Sequence, residues 1–294
     1  MTRQPKTAYI TGGASGIGLA LTTHLLSQNY RVFIADRNTT GAARLASQHN
    51  KPNNTVLGYC TCDTASWESQ ISAFQMALKA LDGRISCIFP IAGIGEKKWL
   101  PFPSESNDVA AHLFTKPDLS VLDVDLSGVL YTVALAVQHF RRQSPVVWEN
   151  SFVEHSMRGK IGLVASVCGF YCVPSLPIYT AAKHALVGLT RSYGVLLKEE
   201  GITVNAVAPN VVRTGISDDA FYDAMEDEGL LTPMDGLMKA FGDILEGDKS
   251  GLVYECGTKG DWTVREGAMY LDEESGRCCA LLQERAKKLH YGPG

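Results

Sequence analysis

The sequence predicts an α/β fold with a doubly wound parallel sheet, helices on both faces and about seven strands, and three observations carry that expectation. Short apolar runs alternate with amphipathic stretches along the chain, a glycine-rich turn joins the first run to the first stretch, and no linker composition divides the 294 residues. Runs apolar throughout belong to strands buried on both faces, and intervening helices supply the right-handed crossovers. The expected organisation is one domain over 1–294, with a C-terminal region from about 215 onward.

In order, the strands are "TAYIT" from 7, "RVFIAD" from 31, "TVLGYC" from 55, "ISCIFPIA" from 85, "IGLVAS" from 161 and "ITVNAVA" from 202, with a seventh at 252–256. Helical periodicity covers 17–29, 67–81, 119–142 and 179–200, with a further helix at 233–245. Two irregular segments, from 96 and from 143, are expected as surface excursions, the first near the carboxyl end of a strand where such sheets bind ligands.

Composition narrows the function classes. With 45% hydrophobic and 20% charged residues the chain has material for a sizeable core, and a net charge of -4 leaves no footprint for nucleic acid. The N-terminus shows neither a signal peptide nor a membrane span, so a cytoplasmic location is expected. The eight cysteines include neighbours at 278 and 279 and no CxxC pair, which reads as reduced thiols, and the sequons at Asn38 and Asn53 are taken as chance. His24, His139 and His184 sit in helical patterns without metal-ligand partners, and no metal is expected.

"TGGASGIG" from Thr11 follows the first strand and opens a helix. Gly12 permits the tight turn, Gly16 admits a pyrophosphate close to the backbone, and Gly18 permits close helix packing, while helix-start amides favour negative charge. Asp36 ends the second strand, where a carboxylate can accept from ribose hydroxyls and would repel a 2'-phosphate, so NAD is expected over NADP. Arg37, able to grip a phosphate, keeps NADP open. In "SVCGFYCVPSLPIYTAAK" from Ser166, Tyr179 and Lys183 stand four apart on one helical face, and an ammonium beside a phenol favours the phenolate.

Together these residues resemble the short-chain dehydrogenase/reductase family over 6 to about 214. That family has a TGxxxGxG loop, an acidic residue after the third strand, and a serine thirteen positions before the tyrosine of YxxxK, matched here by Thr11 to Gly18, Asp63, and Ser166 with Tyr179 and Lys183. The resemblance implies a Rossmann-type fold and an oxidoreductase interconverting a secondary alcohol and a ketone. Tyr179 would be the general base, Ser166 a hydrogen-bond donor to the substrate oxygen, and Lys183 a modulator of the phenol that also holds ribose hydroxyls.

It further implies cofactor contacts from Gly12, Ser15, Gly16, Ile17, Gly18, Asp36, Arg37, Asp63, Thr64, Ala92, Gly93, Val212 and Thr214. Ser15 stands where many NADP-dependent relatives carry a basic residue. Three departures are visible: "PIAG" from Pro90 puts Ile91 where the family has asparagine, Asn210 replaces a glycine, and Asp125 in "DVDLSG" matches the relay asparagine. Asp125 is open between a proton-relay member and a buried polar group. Phe170 and Tyr171 are read as a pocket wall, and the acidic run from Ser217 as a solvated helix or loop that disfavours an anionic substrate, in the region 215–294 that the resemblance implies to be a substrate lid and tail.

The tail from Ser250 resembles fungal short-chain dehydrogenases similar to 15-hydroxyprostaglandin and 5'-hydroxyaverantin dehydrogenases, implying a bulky, mostly apolar secondary-metabolite alcohol or ketone as partner. The family also implies a homodimer or homotetramer; the charge balance and the N-terminal sequence lead us to expect no nucleic-acid or membrane partner. Two alternatives remain: an NADPH-dependent ketoreductase, and a non-redox cyclase or nucleotide-binding scaffold.

Overall fold

The computed structural model describes residues 6–100, 115–148 and 156–291. Strands β1 (Thr7–Thr11), β2 (Arg31–Asp36), β3 (Leu57–Thr61), β4 (Cys87–Pro90), β7 (Gly159–Val164), β8 (Ile202–Pro209), β9 (Val253–Cys256) and β10 (Trp262–Val264) form one sheet in the order β10-β9-β8-β7-β4-β1-β2-β3. Two short strands, β5 (Val146–Val147) and β6 (Ser156–Met157), make a separate antiparallel ribbon. Every pairing in the large sheet is parallel except β9 with β10, so an eighth, antiparallel edge strand stands beyond the seven expected.

The helices are α1 (Gly16–Ser27), α2 (Thr39–His49), α3 (Trp67–Ala80), α4 (Ser120–Arg142), α5 (Pro177–Lys198), α6 (Asp219–Asp227), α7 (Met234–Glu246) and α8 (Glu273–Tyr291). Side chains alternate across each strand. Ala8 and Ile10 of β1 therefore pack with Leu21, Leu45 and Phe241 of α1, α2 and α7, whereas Tyr9 packs with Phe74, Val133 and Leu186 of α3, α4 and α5. Both faces of the sheet are thereby covered, which is what apolar runs without alternation require. By length and apolar composition α4 would suffice to cross a membrane, but it buries Val133, Ala136 and Phe140 against the sheet.

Three elements depart from the sequence expectation. Helix α2 has few apolar residues and starts from a cap, Asn38 Oδ1 accepting from the Gly41 amide at 2.9 Å, rather than from an amphipathic pattern. In α4, residues Asp123–Gly128 form a π-helical turn. Helix α8 buries none of its residues. Of the two expected excursions, 101–114 and 149–155 lie outside the described residues.

The strand order reverses between β1 and β4, and at that switch point the carboxyl ends of the strands open into a cleft of about 800 Å³.

Candidate active site

The floor of the cleft is the turn after β1. Gly12 holds φ +72°, and a Cβ there would lie 2.7 Å from the Ala92 backbone, so the turn against the β4 strand end requires glycine. A Cβ on Gly18 would sit 2.0 Å from the Gly12 carbonyl oxygen, which is why α1 can start this close to the turn. Asp36 supports the same loop: its Oδ2 accepts from the Ala14 amide at 2.8 Å and its Oδ1 from the Asn38 amide at 2.7 Å. Each oxygen keeps a further lone pair, so the brace does not consume its capacity for a ligand hydroxyl. Ser15, Gly16, Ile17, Arg37, Asp63, Thr64, Ala92 and Gly93 line the cleft with it, as do Val212 and Thr214.

Further along the cleft stand Ser166, Tyr179 and Lys183. Ser166 begins a short 3-10 turn after β7, its Oγ accepting from the Cys168 amide at 3.1 Å and lying within hydrogen-bonding reach of the Tyr179 phenol. Lys183 Nζ is 5.1 Å from the centre of the Tyr179 ring, donates to the Val164 carbonyl at 3.3 Å, and forms an ion pair of 3.1 Å with Asp125 Oδ2. Asp125 Oδ1 also accepts from the Ile94 amide at 2.8 Å.

Electrostatics divide these groups. Burial pushes the Tyr179 phenol above its ordinary value; the Lys183 ammonium pulls it down, as the spacing suggests, but Asp125 pushes it up again. Burial likewise raises the Asp125 carboxyl despite Lys183 beside it. Lys183 itself ends above the ordinary lysine range, because Tyr179 and Asp125 together outweigh the burial that works against its charge.

Asp125 reaches Lys183 from the π-helical turn of α4. A turn of that kind adds a residue and disturbs the helix ladder, and here the Gly128 carbonyl accepts from Gln70 Nε2 at 2.8 Å and Thr132 Oγ1 at 3.1 Å. Gln70 Nε2 also donates to the Thr64 carbonyl at 2.6 Å, tying the turn to the loop after β3.

Residues 6–224 match the short chain dehydrogenase family. The chain belongs to that family. Among fungal relatives, the short-chain dehydrogenase/reductase ATR7 of Stachybotrys chlorohalonatus is 32% identical over 213 residues, which cover 72% of this chain and 57% of the relative. The short-chain dehydrogenase/reductase prx7 of Penicillium rubens is 31% identical over 210 residues, covering 71% of this chain and 69% of the relative. The aligned region thus spans less than two thirds of ATR7. A 3-ketoacyl-(acyl-carrier-protein) reductase from Brucella melitensis complexed with NADH superposes with a TM-score of 0.69 at 22% identity, over 87% of this chain and 98% of that one. Levodione reductase gives 0.68 at 22% identity, over 88% and 99%. At that identity the likeness shows the fold.

In this short-chain dehydrogenase the departures from the family pattern differ in kind. Ile91, in place of the family's asparagine, packs on the core, whereas Asn210 is exposed at the cleft and only its backbone amide is engaged, donating to the Cys256 carbonyl at 3.2 Å as a glycine there also would. The expectation for Phe170 and Tyr171 is corrected. They do not line the cleft: Phe170 lies between the guanidiniums of Arg191 and Arg265, at 5.7 and 5.5 Å, and Tyr171 donates to Glu255 at 2.9 Å. The acidic run forms α6, whose Tyr222 is buried with its hydroxyl 3.1 Å from Thr214 Oγ1, while Arg213 pairs with Asp223 and Glu226 at 2.7 and 2.8 Å.

The sequence reading missed the apolar wall residues of the cleft, such as Ile94, Val173 and Leu176, and two polar ones, Tyr222 and Glu96. Tyr222 lies within the acidic run but points inward. Glu96 caps α5 from a loop 83 residues away in sequence, a separation that leaves no local signal.

Proposed function

We propose that this chain is a nicotinamide-dependent oxidoreductase, with NAD preferred, interconverting a secondary alcohol and a ketone on a bulky, mostly apolar molecule. The observation that carries the reading is the Ser166 hydroxyl within reach of the Tyr179 phenol, with the Lys183 ammonium 5.1 Å from that ring, all facing a cleft continuous with the glycine turn.

The residues fit the cofactor. Gly12 and Gly18, where a Cβ would strike backbone, keep the turn tight and bring the start of α1 to the cleft floor, where its amides would meet a pyrophosphate, and Asp36 offers acceptors where ribose hydroxyls would lie. When bound, the nicotinamide supplies the acceptor or donor of hydride. Tyr179 transfers the proton at the substrate oxygen, Ser166 hydrogen-bonds that same oxygen, and Lys183 favours the phenolate by its charge. Asp125 holds Lys183 protonated while opposing the phenolate, so the phenol keeps its proton at neutral pH and is set to protonate a ketone oxygen; oxidation gains as pH rises. Ile94, Val173, Leu176, Ile216 and Phe221 form the apolar walls that support the proposed substrate class.

Arg37 favours a second reading, NADPH-dependent ketone reduction, because its guanidinium lines the adenosine end beside Asp36. Both readings are tested by titrating NADH and NADPH and by assaying secondary alcohols and ketones for NADH or NADPH absorbance change. Tighter NADH binding with turnover of secondary alcohols is expected. Tighter NADPH binding selects the second reading, and no turnover in either direction with either cofactor contradicts both.

A further inference from the structure

Helix α5 has an unusual start. Leu176 precedes it without a side-chain acceptor, and Pro177 opens it without an amide hydrogen, so Ile178 and Tyr179 present the first free amides. Both are taken by one carboxylate: Glu96 Oε2 accepts from the Tyr179 amide at 2.7 Å and Oε1 from the Ile178 amide at 3.4 Å. A helix N-terminus attracts anions through these amides and the aligned peptide dipoles. Here that attraction is satisfied from within the chain, by a residue that itself lines the cleft beside Ile94, Val173 and Leu176.

We propose that Glu96 is a specificity-determining residue: by filling the N-terminus of the helix that carries Tyr179, it reserves the substrate end of the cleft for neutral molecules and excludes carboxylates and phosphates. The proposal rests on the reading of this cleft as an alcohol and ketone site.

The distribution of charge in the cleft supports it. Among the described residues lining the cleft, Asp36, Arg37 and Asp63 belong to the adenosine end, and Asp125 with Lys183 forms an ion pair behind Tyr179. Glu96 is the remaining charge at the substrate end, without a cation among the lining residues there. Its neighbour Lys97 is exposed and donates to Ser120 Oγ at 3.2 Å instead of entering the cleft. An anionic substrate group near Tyr179 would therefore meet a like charge and find the helix-end amides already occupied.

The test compares cyclohexanecarboxylate with cyclohexanecarboxamide, two ligands of nearly one shape that differ in charge, binding to the wild type, Glu96→Gln and Glu96→Ala. Glu96→Gln keeps one carbonyl oxygen, enough for the shorter bond from the Tyr179 amide, so it removes the charge while retaining the stronger of the two cap bonds. Dissociation constants are measured calorimetrically with and without NADH. The wild type should favour the amide, and both variants should shift the affinity ratio toward the carboxylate by about tenfold, equivalent to about 1.4 kcal/mol. An unchanged ratio in both variants, including the absence of measurable carboxylate binding, overturns the proposal. Because this comparison needs no turnover, it separates from the test of hydride transfer, whose failure in the wild type would contradict the oxidoreductase reading alone.

Discussion

Two lysines belong to the two ends of one strand. Lys160 lies near the start of β7 and Lys183 bonds to the carbonyl of Val164 at its end; they are 1% and 5% exposed. Equal burial has opposite consequences. Lys160 donates to the carbonyls of Ile244, Leu245 and Gly247 at the end of α7 and sits 4.5 Å from the Trp148 ring, and burial pulls it down to about 8 although Cys87, Asp248 and Glu246 push it up. Lys183, facing a carboxylate and a phenol, ends above the ordinary range. Dipoles at a helix C-terminus satisfy hydrogen bonds without matching a full charge, whereas Asp125 supplies a formal counter-charge. A buried ammonium is therefore a cap at one end of the strand and a charge available to chemistry at the other.

Replacing each lysine tests that contrast. Lys183→Ala should lower kcat/KM by at least about 10²-fold and weaken NADH binding, because the proposed mechanism has one ammonium serve both the phenol and the ribose hydroxyls. Steady-state kinetics with NADH fluorescence titration checks this, with folding verified by circular dichroism. Unchanged cofactor affinity would remove the ribose role.

Lys160→Met should leave kcat/KM unchanged and alter the dependence of stability on pH. Folded Lys160 releases its proton near 8, below an unfolded lysine, so the native state binds fewer protons between about 8 and 10.4 and wild-type stability rises with pH there. Relative to Lys160→Met, wild type should gain up to about 3 kcal/mol across that window and show no relative change below it. Urea midpoints for both proteins against pH provide the measurement. Parallel curves would place the ammonium in a wetter site than the carbonyl cage implies.

A comparable effect, at the acid end of the range, is expected from His139, whose Nε2 accepts from the Ile85 amide at 3.2 Å. Burial, with help from Arg84 and Arg142, pulls it down to about 4. The folded state thus holds the ring neutral while the unfolded chain protonates it below about 6.5, so stability is lost as pH falls from about 6.5 to 4. His139→Gln should flatten that limb in melting temperatures taken across the range. Asp125→Asn should shift the pH profile rather than abolish activity: turnover persists and the limb of kcat/KM for alcohol oxidation that rises with pH moves to lower pH, since the carboxylate opposes the Tyr179 phenolate. Superimposable profiles would return Asp125 to a structural role.

The same contrast explains what could be read in the sequence. Lys183 was legible because its partner Tyr179 stands four residues away on one helix, and the glycine turn because strand, turn and helix are contiguous. Lys160 was not, since the carbonyls it caps lie 84 to 87 residues further along. Glu96 hides for the same reason. The π-turn that aims Asp125 depends on Gln70, 58 residues before Gly128, and no periodicity announces an inserted residue in a helix. Phe170 and Tyr171 misled because adjacency to Ser166 suggested the cleft, while their arginine partners come from α5 and from the residue after β10. Short apolar runs marked where the strands lie along the chain; contacts across the sheet decided which end each side chain serves.

The central claim is that Tyr179 carries the proton while the glycine turn and its surroundings hold the cofactor, and Tyr179→Phe separates the two. The change removes the phenolic oxygen and keeps the ring against which Lys183 packs at 5.1 Å. Measured together, kcat/KM for a secondary alcohol should fall by about 10²- to 10⁴-fold while the NADH dissociation constant stays at its wild-type value. Near wild-type turnover in the folded variant would contradict the account.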